Sequence, residues 1–356
     1  MKFTTLGIIG GGQLGQMTAA AAFEMGIKTV VFTDQEKSVA SQKADQTIVA
    51  NYNDFAALKN FANLCDVITY EFENIPVETV GFLEEIGKIF PSSKVLKITQ
   101  NRILEKNFLN SIGVKTVDFC EIKTKEDLIL GFERFGKSIL KTATLGYDGK
   151  GQFKIEQKSD IEDIWSEIKV GRLTQNGLVL EKFSPFTSET SVIVARSIND
   201  EISCYDPLTN IHKDGILDQS IYPAQISEKC KNDAKKIAEK IVQEIGLFGL
   251  LAIEFFVLED GELIVNEMAP RPHNSGHFSM DASNTSQFSQ LVLAVTGQKL
   301  GDPKFHSHGY MQNLIGKQVL ELEKYERDPN AVIHIYGKKE VKIGRKMGHV
   351  NILKRS

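Results

Sequence analysis

Apolar residues recur along this chain in two rhythms. Residues 5–9, 29–32 and 67–70 are short, almost unbroken apolar runs, while the stretches from the glycines at 10–15 to Gly26 and over 77–86 carry helical spacing. Short solid runs alternating with helices predict a parallel sheet with crossover helices. Pro91, Ser92 and Ser93 predict an exit from this unit near residue 95. A helix is expected over 100–112, with Leu104, Phe108, Leu109 and Ile112 on one apolar face. Strands then prevail from about 114 to 190, at 138–142, 153–155 and 178–181, with helices over 125–135 and 160–168. A long amphipathic helix is predicted over 227–246 and a last long one over 286–296; residues 332–336 read as a strand.

One pair of strands stands apart. Residues 250–258 read as a buried strand with a single acid, Glu254, and residues 263–267 as a second, ending in Glu267, with the turn signal Asp260-Gly261 between them. A two-residue turn sets Glu259 opposite Glu262, Leu258 opposite Leu263 and Glu254 opposite Glu267. Directly opposed carboxylates, with Cβ atoms about 5 Å apart, repel. A divalent cation reverses that sign, and Mg²⁺ takes hard carboxylate oxygens that it shares with substrate phosphates. A three-residue loop would slip the pair by one position. The next residues, Glu267-Met-Ala-Pro-Arg-Pro-His-Asn-Ser-Gly-His277, crowd an acid, an arginine, two histidines, an asparagine and a serine between prolines. That density of convergent polar groups is the mark of a site.

Two glycine-rich loops add phosphate chemistry. Gly10-x-Gly12-x-x-Gly15 follows a strand and opens a helix, with Asp34 further on, which matches the dinucleotide fingerprint. Its physics is a set of amides at a helix N-terminus, which welcome any phosphate, not a nicotinamide cofactor in particular. Gly146-Tyr147-Asp148-Gly149-Lys150-Gly151-Gln152 lies between two strands and can close over anionic groups, with Lys141 at the end of the preceding strand. Glu181-Lys182-Phe183-Ser184 ends a strand before Pro185, a switch that frees backbone groups to read a flat heterocycle edge.

Composition narrows the classes. A net charge of −4 and a pI near 6.0 argue against a broad nucleic-acid footprint. The four cysteines, Cys65, Cys120, Cys204 and Cys230, are scattered and form no zinc or redox motif. Without a signal peptide or long apolar span, no membrane partner is expected, and a reducing cytoplasm is the default location.

Taken in order, Gly-Gly-Gly-Gln-Leu-Gly at 10–15, Gly-Tyr-Asp-Gly-Lys-Gly-Gln at 146–152, the 267–277 run and Gly-Arg-Lys-x-Gly-His at 344–349 carry a resemblance. The chain resembles the ATP-grasp superfamily over nearly its whole length. Within it, the chain is similar to the carboxylating enzymes of de novo purine synthesis that make 5-(carboxyamino)imidazole ribonucleotide. The resemblance implies an α/β and α+β architecture: a Rossmann-like substrate-phosphate domain over 1–98, an ATP-grasp domain over 99–298 with a lid at about 114–185, and a small β-rich domain over 299–356. It implies ATP and Mg²⁺ (or Mn²⁺) as cofactors, aminoimidazole ribonucleotide and bicarbonate as further substrates, and a homodimer. Arg102, Lys141, the loop from Gly146 through Tyr147, Asp148, Gly149, Lys150 and Gly151 to Gln152, the segment Glu181, Lys182, Phe183 and Ser184, and Glu189, His212, Asn266 and Glu267 would surround ATP. Glu254 and Glu267 would hold the metal. Arg271, His273 and Asn274 would hold bicarbonate and then carboxyphosphate, with Asp148 near the amine. Gln13, Leu14, Glu73, Tyr147, Lys338, Arg345 and Lys346 would meet the ribonucleotide. The rival activities are a formate-dependent glycinamide ribonucleotide transformylase and another ATP-grasp carboxylate–amine ligase. Ala269 stands where many ATP-grasp enzymes carry a metal-binding asparagine, so a second metal would find fewer protein contacts.

Overall fold

The computed structural model describes residues 5–146, 151–171 and 173–354. The first of three sheets is parallel. β1 (Thr5–Ile9), β2 (Lys28–Thr33), β3 (Gln46–Val49) and β4 (Val67–Tyr70) run in the order β3-β2-β1-β4. Helices α1 (Gln13–Glu24) and α2 (Phe55–Leu64) make the crossovers, and α3 (Val77–Glu85) follows β4. Both β3 and α2 escape the apolar pattern: β3 is an edge strand and is only half-buried. The chain does not leave this unit directly at residue 95. It first forms α4 (Ser93–Thr99), capped by Ser92, and only then α5 (Arg102–Ser111), capped by Asn101.

Helix α5 corrects the expectation for its buried face. Leu104 is 38% exposed, whereas Glu105 and Lys106 are buried together with Leu109. The helix turns three charged residues, Arg102, Glu105 and Lys106, towards the interior, at the three- and four-residue spacing that shares one face. An apolar count cannot find such a face.

The second sheet is antiparallel: β5 (Phe119–Ile122), β6 (Ser138–Thr142), β7 (Gln152–Ile155) and β8 (Leu178–Lys182) in the order β5-β8-β6-β7. Helices α6 (Lys125–Phe135) and α7 (Asp160–Val170) pack on it through a separate small core that holds Leu128, Trp165 and Ile168.

Nine strands make the third sheet. β9 (Ser188–Arg196), β10 (Ile202–Cys204), β11 (Leu208–Lys213), β12 (Ile216–Tyr222), β13 (Gly249–Val257), β14 (Leu263–Ala269), β15 (His308–Ile315), β16 (Ala331–Ile335) and β17 (Lys346–Lys354) follow in chain order. In space they run β14-β13-β9-β11-β12-β15-β17-β16, with β10 on β9. The C-terminal strands therefore extend the central sheet through the β12–β15 pairing, for example Gln219 against Gln312. Helix α8 (Glu228–Ile245) covers one face of it, packing on β9, β13 and β14. Ser227 caps it, Cys230, Ala234, Ala238, Ile241, Val242 and Ile245 form the buried stripe, and Gly246 ends it in the left-handed conformation.

The acidic hairpin departs from the expected register and then recovers it. The loop has three residues, because the Leu258 amide donates to the Glu262 carbonyl and the Gly261 amide to Leu258. Leu263 consequently faces Val257, not Leu258, and the Glu259–Glu262 pair does not form. A β-bulge then puts Asn266 out of register, and Glu254 faces Glu267 after all. The slip at the turn is undone by an extra residue beside the acids.

Candidate active site

Two cavities meet at a common wall. One, of about 400 Å³, lies between the N-terminal sheet and the end of β14; the other, of about 280 Å³, lies between the central and the second sheets. Arg102, Glu267, His273, Asn274 and Lys346 line both. The expected residues Gln13, Leu14, Glu73, Gly146 and Arg271 line the larger cavity; Lys141, Gln152, Glu189, His212, Glu254 and Asn266 line the smaller. A third cavity of about 580 Å³ adjoins the larger one and is lined by Gly12, Gln13, Lys338 and Arg345. Segments some 300 residues apart thus meet, as Gln42 also attests by donating to the Gly337 carbonyl, 295 residues on. Tyr147, Asp148, Gly149 and Lys150 lie outside the described residues.

Charge pairing organises this wall. Arg102 reaches Glu267 at 3.1 Å from the start of α5. Arg271 grips Glu73 with two nitrogens, Nε on Oε2 and Nη2 on Oε1 at 2.8 Å, and donates from Nη1 to the Pro272 carbonyl. Three donors are thereby engaged, leaving two of the five that a guanidinium carries. Burial alone would raise the Glu73 carboxyl; the Arg271 guanidinium outweighs it and holds Glu73 at about 2. Lys141 contacts Glu181 at 2.6 Å, and both are buried. Glu189 pairs with His212 across the β9–β11 ladder.

The opposed acids behave as the repulsion argument requires. Burial, with the Glu267 carboxylate next in weight, pushes Glu254 up to about 8. Among the described residues no group of three or more His, Cys, Asp or Glu could form a metal cage. Two carboxylates fit a hard cation that takes its remaining oxygens from phosphates and water. The bulged Asn266 supports that fit, since its buried Oδ1 has no hydrogen-bond partner among the described residues.

The loop after β14 is stiffened from behind. His273 Nδ1 accepts from the Ser275 amide and meets the Ser275 hydroxyl at 2.8 Å, and Ser191 donates to that hydroxyl. Nδ1 is therefore an acceptor, and the ring proton sits on Nε2, 3.6 Å from Glu254. Burial, aided by Arg271, holds the imidazole down at about 3, so it stays neutral. Both side-chain amide atoms of Asn274 are buried without hydrogen-bond partners among the described residues, the state expected of a group waiting for a ligand.

Three site features were not foreseen. The N-terminal loop does not offer bare amides throughout, because Glu71 accepts from Gly12 at 2.5 Å and from Gly15 at 2.9 Å. A Cβ at residue 12 would sit 2.6 Å from the Glu71 carboxylate, which explains that glycine. Glu105 accepts from the Met268 amide at 2.6 Å, and burial pushes its carboxyl up to about 8 against the pull of Lys106. Lys106 itself lies 3.0 Å from Glu181. The four-residue spacing of Arg102 and Lys106 was the available signal. Glu181, Lys182, Phe183, Ser184 and Gly151 do not line the two joined cavities: Lys182 leans towards Asp118 at 3.6 Å, and Lys154 covers the Phe183 ring.

Known domain families match almost the whole chain. The ATP-grasp domain family matches residues 107–288, the ribonucleotide synthetase preATP-grasp domain matches 3–100, and the phosphoribosylaminoimidazole carboxylase C-terminal domain matches 309–356. An N5-carboxyaminoimidazole ribonucleotide synthase of Bacillus subtilis is 43% identical over 98% of this chain and 91% of its own length. The chain belongs to the N5-carboxyaminoimidazole ribonucleotide synthases, a family of ATP-grasp enzymes. The Staphylococcus aureus synthetase solved with ADP superposes with a TM-score of 0.94 at 39% identity, over 100% of this chain and 95% of that one. The Aspergillus clavatus enzyme, solved with ADP and 5-aminoimidazole ribonucleotide, gives 0.91 at 28% identity, over 99% and 94%.

The Glu73–Arg271 pair yields a test in stability. Glu73 is depressed from an ordinary 4.5 to about 2, so its contribution is present above about pH 4.5 and lost as pH falls towards 2. Glu73→Gln should cost about 3 kcal/mol at pH 7, because it leaves a buried guanidinium without its counter-charge. The gap to the parent in denaturant melts should narrow steadily from pH 5 to pH 3; a gap independent of pH would contradict the pairing.

Proposed function

We propose that the chain carboxylates 5-aminoimidazole ribonucleotide to 5-(carboxyamino)imidazole ribonucleotide, using ATP and bicarbonate, in the cytoplasm and as a homodimer. The observation that carries this reading is the common wall. Nucleotide is held in the smaller cavity and ribonucleotide in the larger, so what is made in one can be consumed in the other without crossing water.

In this reading Lys141, Arg102 and the glycine loop hold the phosphates of ATP, with the ribose at Glu189 and His212 and the adenine reaching past the smaller cavity to the 181–184 segment. Glu254 and Glu267, with Asn266 beside them, would hold Mg²⁺, which supplies charge neutralisation at the transferring phosphoryl group when bound. Bicarbonate lies against Arg271, His273 and Asn274. Its oxygen attacks the γ-phosphate, the bond to ADP breaks, and carboxyphosphate forms. The two free donors of Arg271 and the unpartnered amide of Asn274 are aimed at that dianion, fixed in advance by Glu73 and Ser275, so little reorganisation is needed as charge develops. Neutral His273 donates from Nε2 without adding a charge. Carboxyphosphate releases CO₂, the amine of the ribonucleotide captures it, and one proton leaves the nitrogen, with Asp148 as the candidate acceptor. The ribonucleotide phosphate is met by the N-terminal loop and by Lys338, Arg345 and Lys346, and its ribose by Glu73. Because Glu73 also grips Arg271, ribose and bicarbonate binding share one carboxylate. The domain limits near 98 and 298 follow from the same division of labour.

Release of ADP and phosphate should require both the aminoimidazole ribonucleotide and bicarbonate. Turnover with formate and glycinamide ribonucleotide, and none with the imidazole, would replace this reaction by the transformylase one. Arg345→Ala, which removes a fork suited to phosphate, should raise KM for the ribonucleotide about 10-fold and leave KM for ATP within about 2-fold. Equal effects on both substrates would take the C-terminal segment out of the site.

A further inference from the structure

Lys106 is fully buried, and its ammonium makes no hydrogen bond among the described residues. Its contact is the ion pair with Glu181 at 3.0 Å, where the side chains are 0% and 4% exposed. Glu181 uses its other oxygen on Lys141 at 2.6 Å. One carboxylate is thus shared by two buried lysines, one on α5 behind the cleft and one on β6 at its wall. A buried ion pair is a poor stabiliser compared with an apolar residue of the same volume, and an ammonium without hydrogen bonds is poorer still. Packing therefore does not account for a lysine at this position. Charge does. A lone Glu181–Lys141 pair would be neutral and would draw Lys141 back into the sheet, whereas the triad carries a net positive charge.

We propose that Lys106 is a positioning residue of the nucleotide cleft: from α5 it engages Glu181, so that Glu181 orients Lys141 without cancelling its charge towards the phosphates. The inference rests on the proposed place of ATP beside Lys141. It also explains how α5 serves both cavities. Arg102 holds Glu267, Glu105 holds the Met268 amide, and Lys106, one turn on from Arg102, holds the strand that carries Glu181. The lid sheet and the acidic hairpin are thereby referred to the same helix.

A readout that a structural role would not move is the alkaline limb of the rate profile. Burial holds the Lys141 ammonium below the usual lysine range; Glu181 opposes this, while Arg102 and Lys106 add to it. Across the cleft stand Glu189, His212, Glu254 and Glu267, unchanged in every variant below. Lys106→Met removes one positive neighbour, so Lys141 should keep its proton to higher pH and the alkaline limb of kcat/KM for ATP should move up. At neutral pH the same change should weaken ADP binding, read by calorimetry, about 10-fold, while KM for the ribonucleotide stays within about 2-fold. Lys106→Arg, which keeps the charge, should restore ADP affinity to within about 3-fold of the parent and leave the limb in place. Folding is checked by circular dichroism, and Lys106→Gln takes the place of the methionine variant if that one is unfolded. Unaltered ADP binding, or equal losses for both substrates with an unmoved limb, would overturn the role of Lys106. ADP binding to the parent without turnover of the imidazole would remove the proposed reaction and leave the ADP-binding comparison of parent, Lys106→Met and Lys106→Arg intact as the test of Lys106.

Discussion

Charges taken out of water must be paired, and in this chain the pairs join segments that no single sheet contains. Arg102 of α5 meets Glu267 of β14, Arg271 of the loop after β14 meets Glu73 of the N-terminal unit, and Glu181 of the second sheet meets Lys106 of α5. Each partner would be costly to bury alone. Three sheets consequently converge on one wall, and their relative placement is set by the demand that these groups find one another. The exception is the Glu254–Glu267 pair, two acids side by side, of which Glu254 is pushed up to about 8. That mismatch is what the proposed cation would relieve.

The wall has functional weight because it is shared. Carboxyphosphate is a reactive anhydride, and so is useful only where the amine is already in place. Arg102, Glu267, His273, Asn274 and Lys346 belong to both cavities, so in the proposed reaction the intermediate would form against residues that also bound the acceptor's space. The partner groups behind them, Ser275, Ser191, Glu73 and Glu105, are hydrogen-bonded in advance, which spares the reaction the cost of aligning them.

Much of this was legible in the residues alone. The parallel sheet showed through its solid apolar runs, helix 125–135 fell where its period put it, and the two acid-bearing strands with a turn between them were read as a hairpin that opposes Glu254 and Glu267. What escaped has definite causes. The edge strand Gln46–Val49 is only half-buried, and the strands from Ser188 to Tyr222 mix polar and apolar residues on both faces, so neither shows a clean period. The turn at Asp260-Gly261 was misread by one residue, and only the bulge at Asn266 preserved the outcome; nothing in the sequence announces two compensating irregularities. The charged inner face of α5 was hidden because Leu104 and Phe108 suggested another, and Glu71 passed unnoticed because an acid that caps a glycine loop looks like any surface acid until its partners are known.

The central claim is that bicarbonate is activated by phosphoryl transfer at this wall before the amine reacts. The most direct test is turnover with ¹⁸O-labelled bicarbonate, followed by mass analysis of the phosphate released. Attack on the γ-phosphate leaves the bridging oxygen with phosphorus when CO₂ departs. One labelled oxygen in each phosphate is therefore the predicted result. Phosphate that carries no label, formed at the same rate as the carboxylated product, would mean that ATP is cleaved without carboxyphosphate and would contradict the account.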